Sequence, residues 1–332
     1  MDSKTMRTAF VTGASGLVGT NLVQQLQDNG WSTVALSRSG IPTHGFDERE
    51  YTRIVSGDVT DRGSIEKAMP EAVDAVFHVA GNMAMWKGME PDLYRVNVEG
   101  TRNVVETALR KKAKRLIHVS SVASYAPVHG EVLSGQPSDR AKDHWIDYFR
   151  TKFLGDEEVR KGVREGLNAV LIHPGHILGG GGTSGWSALL LQMHAGTLKR
   201  SFPGSGPWNH VASVAEVLRA AADRGRVGQS YLLGGAQGSY RDVCQGIAKV
   251  LGVPPPPTVG ALPLKLTARI FQLKSMVNGK RPRLTPETAH FVSLDFSCDS
   301  RKATQELGYR ERSIETMIKD THEWLKSKGA LS

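Results

Sequence analysis

Phe10-Val11-Thr12-Gly13-Ala14-Ser15-Gly16-Leu17-Val18-Gly19 sets three glycines three residues apart, between an apolar, β-branched run and an amphipathic one. The run Thr8–Thr12 predicts a strand, and Leu17–Asp28, stopped by Gly30, predicts a helix. A chain that turns this sharply from strand into helix, and lets phosphates lie against its backbone, needs residues without a Cβ at the turn. The helix start then offers free N–H groups and a partial positive charge to an anion. Gly13, Ser15, Gly16, Leu17, Val18 and Gly19 are therefore expected to cradle a dinucleotide pyrophosphate, against the plainer alternative of a tight turn.

Strand-like runs recur at 33–37, 54–55, 75–79, 115–120, 169–173 and 231–233, with helical periodicity at 93–109 and 145–164. Alternating β and α elements predict an α/β fold, a doubly wound parallel sheet of Rossmann type. After residue 174 the texture changes: Gly179 to Gly182, the Gly/Pro-rich 202–208 and Pro254 to Pro257 separate shorter helical pieces. Residues 1–174 are expected to form the cofactor-binding domain with the catalytic groups. Residues 175–332 are expected to form a smaller, mostly helical C-terminal substrate lobe without a sheet of its own, with segments around 209–235 returning to the Rossmann core.

At the end of the second strand, where folds that prefer NAD carry an acidic residue, this chain has Ser37-Arg38-Ser39. A carboxylate repels a 2′-phosphate, whereas a guanidinium binds it with paired hydrogen bonds. Arg38 thus predicts NADP(H) as the cofactor.

The 332 residues are 39% hydrophobic and 23% charged, in the range of a folded globular protein. No apolar run nears the ~20 residues of a membrane span, and Met1 to Arg7 carries no hydrophobic leader, so no integral membrane span and a cytoplasmic location are expected. Cys244 and Cys298 stand far apart, outside any metal-ligand or disulfide spacing, and no metal is expected. The net charge of +9 fits an anionic partner. Its densest cluster, Arg110, Lys111, Lys112, Lys114 and Arg115, has no interleaved aromatics and falls at a helix end, which argues against nucleic acid. Residues 262–277 are amphipathic and basic, which fits an interfacial membrane helix or, more commonly, the cover of a substrate pocket.

Tyr148-Phe149-Arg150-Thr151-Lys152 puts a tyrosine and a lysine four apart, on one face of a helix. A nearby ammonium favours the phenolate, so Lys152 is expected to lower Tyr148 toward a range useful for proton exchange with an alcohol or carbonyl. Lys152 also has donors for the nicotinamide ribose. The segment His118-Val119-Ser120-Ser121-Val122-Ala123-Ser124-Tyr125 follows a strand whose C-terminal end normally hosts ligand chemistry, and a hydroxyl there can hold a substrate oxygen beside Tyr148.

At this point the chain resembles the short-chain dehydrogenase/reductase superfamily, specifically the extended or atypical branch with dihydroflavonol-reductase-like and 3β-hydroxysteroid-dehydrogenase-like enzymes. The resemblance covers nearly the whole chain. It rests on the glycine loop, Gly57-Asp58-Val59, Phe77-His78-Val79-Ala80-Gly81, Asn97-Val98-Glu99-Gly100-Thr101, the paired serines, the Tyr148 to Lys152 spacing and His173-Pro174-Gly175. It implies that Ser121, rather than Ser120, is the catalytic serine, with Tyr148 and Lys152. It further implies that Asp58 and Val59 meet the adenine, that Ala80 and Gly81 pass the ribose and phosphates, and that Pro174 borders the cofactor. Asn97 resembles a helix-packing or water-relay residue, and the segment from His210 to Ala215 one that opens a late helix. His173 stands where many relatives have arginine.

Met83, Met85 and Trp86 after the fourth strand, with Trp186 and Met193 in the lobe, offer bulky apolar surface for a pocket, core packing being the plainer role. The expected partner is a small molecule, a hydrophobic ketone or secondary alcohol. His129 and His144 lie within reach of such a site or are ordinary surface histidines. The alternatives are a nucleotide-sugar epimerase of the same extended branch and a non-catalytic cofactor-sensing protein. The first generally has an acidic residue in place of Arg38, and the second generally lacks the Tyr or the Lys. Monomer and homodimer are both compatible with the pattern.

Overall fold

Side chains of successive residues in a strand point to opposite faces, so a strand covered on both sides must be apolar throughout. The first strand meets this condition: Ala9 and Val11 enter one hydrophobic core, Phe10 another. In the computed structural model, which describes residues 6–40 and 51–331, twelve strands follow one another among the described residues. They are β1 (Thr8–Thr12), β2 (Ser32–Ser37), β3 (Thr52–Ser56), β4 (Ala75–His78), β5 (Leu116–Val119), β6 (Glu131–Leu133), β7 (Ala169–Pro174), β8 (His176–Leu178), β9 (Ser205–His210), β10 (Ser230–Leu233), β11 (Ala236–Ser239) and β12 (Phe296–Cys298).

Seven of them form one parallel sheet in the order β10-β7-β5-β4-β1-β2-β3. This is the doubly wound Rossmann arrangement expected from the sequence, and chain direction across the sheet reverses between β1 and β4. Helices Leu17–Asp28 and Val211–Arg224 cover one face through Leu22, Leu26, Val214 and Leu218. Helices Arg62–Ala68, Gly100–Arg110 and Asp147–Arg164 cover the other through Ile65, Val104, Ala108 and Val159.

The smaller lobe is mostly helical, with Tyr240–Leu251, Ala261–Asn278 and Ile314–Ser327 as its longest pieces. It also carries two small sheets that the sequence did not announce, β11-β9-β8 and β12-β6. Their strands are short, and β9 contains Gly206 and Pro207, residues that read as chain breakers.

The helix expected over 93–109 is one continuous run from Glu90 to Arg110 whose middle, Arg95–Glu99, widens into a π-turn. The widened turn meets the Asp147–Arg164 helix at Gly155, where an added Cβ would lie 2.5 Å from the Asn97 carbonyl oxygen. The basic cluster at the end of this run is largely paired: Arg110 with Glu66, Lys111 with Glu71 at 2.8 Å and Lys114 with Asp74 at 2.7 Å. Arg115 instead donates to the carbonyls of Ala221 and Ala222 at the end of a neighbouring helix.

Candidate active site

Loops leaving β1, β4, β5 and β7 converge at the carboxyl edge of the sheet, around the point where strand order reverses. Gly13, at φ +67°, turns the chain out of β1, and a Cβ there would lie 2.6 Å from the Ala80 nitrogen after β4. A Cβ on Gly19 would sit 2.1 Å from the Gly13 oxygen. Packing within the protein therefore dictates both. Gly16 differs, since the only neighbour of its added Cβ is the Gly13 oxygen at 3.4 Å. The space that its missing side chain leaves faces outward, at the start of the Leu17–Asp28 helix, which no side chain caps. A glycine that the protein does not need, beside uncapped N–H groups, is what a close-lying pyrophosphate requires, so the loop fits the cofactor of a Rossmann site. Ser15 and Gly16 are exposed, and Leu17 and Val18 half-buried.

Arg38 is exposed directly beyond β2, and the Ser56 hydroxyl donates to its carbonyl oxygen at 3.2 Å. Asp58 accepts from the Thr60 amide and hydroxyl at 2.9 and 3.0 Å, Val59 is buried against Gly100, and Pro174 closes β7. Gly81 is exposed, with the Lys152 ammonium 3.8 Å from where its Cβ would stand.

A directed chain of hydrogen bonds links the glycine loop to the Asp147–Arg164 helix. The Ala80 amide donates to Thr12 Oγ1 at 3.3 Å, leaving that hydroxyl to donate to His78 Nδ1 at 2.8 Å. His78 Nε2 faces Thr101 Oγ1 at 3.0 Å, and that hydroxyl is spent on the Asn97 carbonyl at 2.7 Å. His78 is therefore the neutral Nε2–H tautomer, consistent with burial and the neighbouring His118 holding it well below its ordinary range. The Asn97 side chain accepts from the Asn82 amide and donates to the Asn82 carbonyl and to Thr151 Oγ1.

Ser121, the residue before the short Val122–Tyr125 turn, has its carbonyl held by Ser124 Oγ at 3.0 Å and by His173 Nδ1 at 3.4 Å, while its hydroxyl accepts from the Ala123 amide. The Tyr148 phenol lies close enough to that fixed hydroxyl for it to favour the phenolate. Tyr148, in the first turn of the Asp147–Arg164 helix, is 8% exposed. Burial raises its pKa above the ordinary value, opposed by the Ser121 hydroxyl. The expectation of a lowered phenol is thus not met, because desolvation, reinforced by the Asp156 charge, outweighs the Ser121 hydroxyl. Lys152, one turn further on, donates to the Val119 carbonyl at 3.0 Å. Burial pushes its ammonium down to about 8, and Asp156 resists that shift.

Sequence reasoning missed Asp156, the third member of this helix face. His118 Nε2 and His173 Nδ1 stand 3.5 and 3.7 Å from its two oxygens, and all three side chains are buried. Burial would raise Asp156, but the neighbouring His173, His118 and Ser120 outweigh it and hold the carboxyl below the usual range. Burial keeps His173 neutral, at about 4. The four-residue spacing of Tyr148, Lys152 and Asp156 was the available signal. Among the described residues no group of His, Cys, Asp and Glu converges as a metal site.

Of the five bulky pocket candidates, Met85, Trp186 and Met193 join the hydrophobic cluster that also holds Tyr148 and Phe149. Met83 is exposed, Met85 and Trp86 are half-buried, Trp186 packs edge-on against His176 and Trp208, and Met193 is buried in the lobe core. A cleft of about 660 Å³ opens among Ala126, His129, His144, Lys265, His290 and Leu294. His144 stacks on Phe149, the neighbour of Tyr148, so the cleft lies next to the Asp147–Arg164 helix.

Residues 9–234 match the profile of a family described as the NAD dependent epimerase/dehydratase family. Sterol demethylase protein B of Methylococcus capsulatus is 28% identical, the alignment covering 98% of this chain and 100% of that protein. A putative dihydroflavonol 4-reductase of Synechocystis is 27% identical over 96% of this chain and 95% of that one. Among solved structures, the crystal structure of gox2253 superposes with a TM-score of 0.82 at 25% identity, covering 98% of this chain and 99% of that one.

Proposed function

The chain belongs to the NAD dependent epimerase/dehydratase family, an enzyme of the extended short-chain dehydrogenase/reductase type acting on CH–OH/C=O groups, and within it we propose an NADP(H)-dependent oxidoreductase that interconverts a hydrophobic ketone and its secondary alcohol. The observation that carries this reading is the grouping of the Ser121 hydroxyl with the buried Tyr148 phenol, one helical turn from the Lys152 ammonium.

When bound, a nicotinamide dinucleotide supplies the hydride in reduction and accepts it in oxidation. Gly13, Ser15, Gly16, Leu17, Val18 and Gly19 would hold its pyrophosphate, Asp58 and Val59 its adenine, Ala80, Gly81 and Pro174 its flank, and Arg38 its 2′-phosphate. Ser121 orients the substrate oxygen. Tyr148, kept protonated at neutral pH by its burial, gives its proton to that oxygen as hydride reaches the carbon, and the resulting phenolate is stabilised by the Ser121 hydroxyl and the Lys152 ammonium. In oxidation the proton returns to Tyr148.

Arg38 supports NADP(H), because its exposed guanidinium stands where a carboxylate would select NAD. The names of a sterol demethylase protein and a dihydroflavonol reductase among the relatives support an apolar carbonyl substrate. The same reading places the enzyme in the cytoplasm, as a monomer or homodimer, with neither metal nor nucleic acid as partner.

Tyr148→Phe is expected to bind NADP(H) with unchanged affinity and to lose turnover by about a thousandfold or more, measured as NADPH consumption with a panel of apolar ketones. Turnover within tenfold of the parent, on the order of 1.4 kcal/mol, would reject the assignment. A larger rise in melting temperature with NADP⁺ than with NAD⁺ is expected, and the reverse order would remove the role of Arg38.

A further inference from the structure

The Ala261–Asn278 helix is apolar on two opposite faces. Leu264 and Ala268 are buried against the lobe. Leu262, Leu266, Ile270, Leu273, Met276 and Val277 point away from it, each 53% to 91% exposed. With about 100° between successive residues, these six fall within an arc of roughly 120°, nearly opposite Leu264 and Ala268. A continuous outward apolar stripe of this kind marks an interaction surface.

The charge around the stripe says what covers it. Lys265 borders one side and Lys274 the other, Arg269 rises from within the stripe, and Lys280, Arg281 and Arg283 continue beyond the helix end. No acidic residue occurs from Ala261 to Pro286, and none of these six cations ion-pairs among the described residues. A second copy of the chain would bring the same cations against them. An anionic bilayer complements both features at once, since the apolar side chains enter the acyl boundary while lysine and arginine extend to the phosphates. We propose that this helix docks the enzyme, flat and without spanning, on an anionic phospholipid surface. Ala261 and Lys265 also border the cleft beside the catalytic helix, so docking sets the mouth of that cleft at the membrane face.

The test is co-sedimentation of the full chain with phosphatidylcholine vesicles containing phosphatidylglycerol, against phosphatidylcholine alone and across a salt series. The chain is expected to sediment with the anionic vesicles and to be released by salt. The pairs Leu266→Glu/Leu273→Glu and Lys265→Glu/Arg269→Glu are each expected to weaken binding about tenfold or more, with melting temperatures unchanged because all four side chains face solvent. Absence of binding, equal binding to neutral vesicles, or a dimer that Leu266→Glu/Leu273→Glu dissociates without any vesicle binding would each overturn the proposal. Vesicle binding involves no turnover, so its failure is separable from failure of the reductase reading.

Discussion

Lys152 shows how a buried residue sets the working range of its neighbours. Its ammonium is the charge that a phenolate on Tyr148 needs, yet burial brings it down to about 8, so it is lost at only mildly alkaline pH. Asp156, one turn further along the helix, is the group that opposes this loss. Asp156 is expected to be a positioning residue, acting on Tyr148 both directly and through Lys152. Removing its charge in Asp156→Asn is expected to move the basic limb of the kcat/KM profile to lower pH, a shift that loss of folded protein alone would not produce. A basic limb left in place would reject the coupling. That Ser121, Tyr148 and Lys152 come together was legible in the sequence, because helical spacing and strand ends fix local direction. The sign of the Tyr148 shift was not, because it depends on how much water the folded lobe excludes. The imidazoles around Asp156 were equally hidden: His118 and His173 come from β5 and β7, more than fifty residues apart.

The strands and helices were legible in proportion to their apolar content. Six strands of the large sheet were visible as largely buried apolar runs, whereas the edge strand β3, exposed at Arg53 and Ser56, showed only at 54–55, and the Leu17–Asp28 helix was legible to its ends. The strands of the small sheets are three to six residues long and include glycine and proline, so neither length nor alternation betrays them. The π-turn at Arg95–Glu99 has no periodicity of its own, and it exists where two helices press together at Gly155. Gly155→Ala places a methyl 2.5 Å from the Asn97 carbonyl, backbone that cannot swing aside. It is expected to cost about 1–3 kcal/mol in urea unfolding, and to lower kcat by shifting the helix that carries Tyr148 and Lys152. Parent-like stability would show that the π-turn adjusts freely.

Across the whole molecule, burial of neutral imidazoles makes stability depend on acid. His173 and His176 are held at about 4 and about 3 by burial, against an ordinary 6.5. Unfolding restores their ordinary affinity for protons, so the unfolded chain takes up protons below about pH 6.5 that the folded chain refuses. Stability is therefore full above that pH and falls as pH drops toward the folded values, by up to about 1.4 kcal/mol per pH unit for each imidazole. Melting temperature is expected to decline steadily from about pH 7 to about pH 5, and a flat profile would contradict the neutral burial of these rings. The two lobes are also joined by topology. Strand β10 seals the outer edge of β7, and the Val211–Arg224 helix covers Leu22 and Leu26, yet both are encoded after the first excursion into the smaller lobe. During synthesis a ribosome must deliver Leu233 before the first-made half can shed its open edge. Until then the nascent chain presents the rim of β7 and an uncovered apolar face, which makes it a natural client for chaperones and a poor candidate for expression as an amino-terminal fragment.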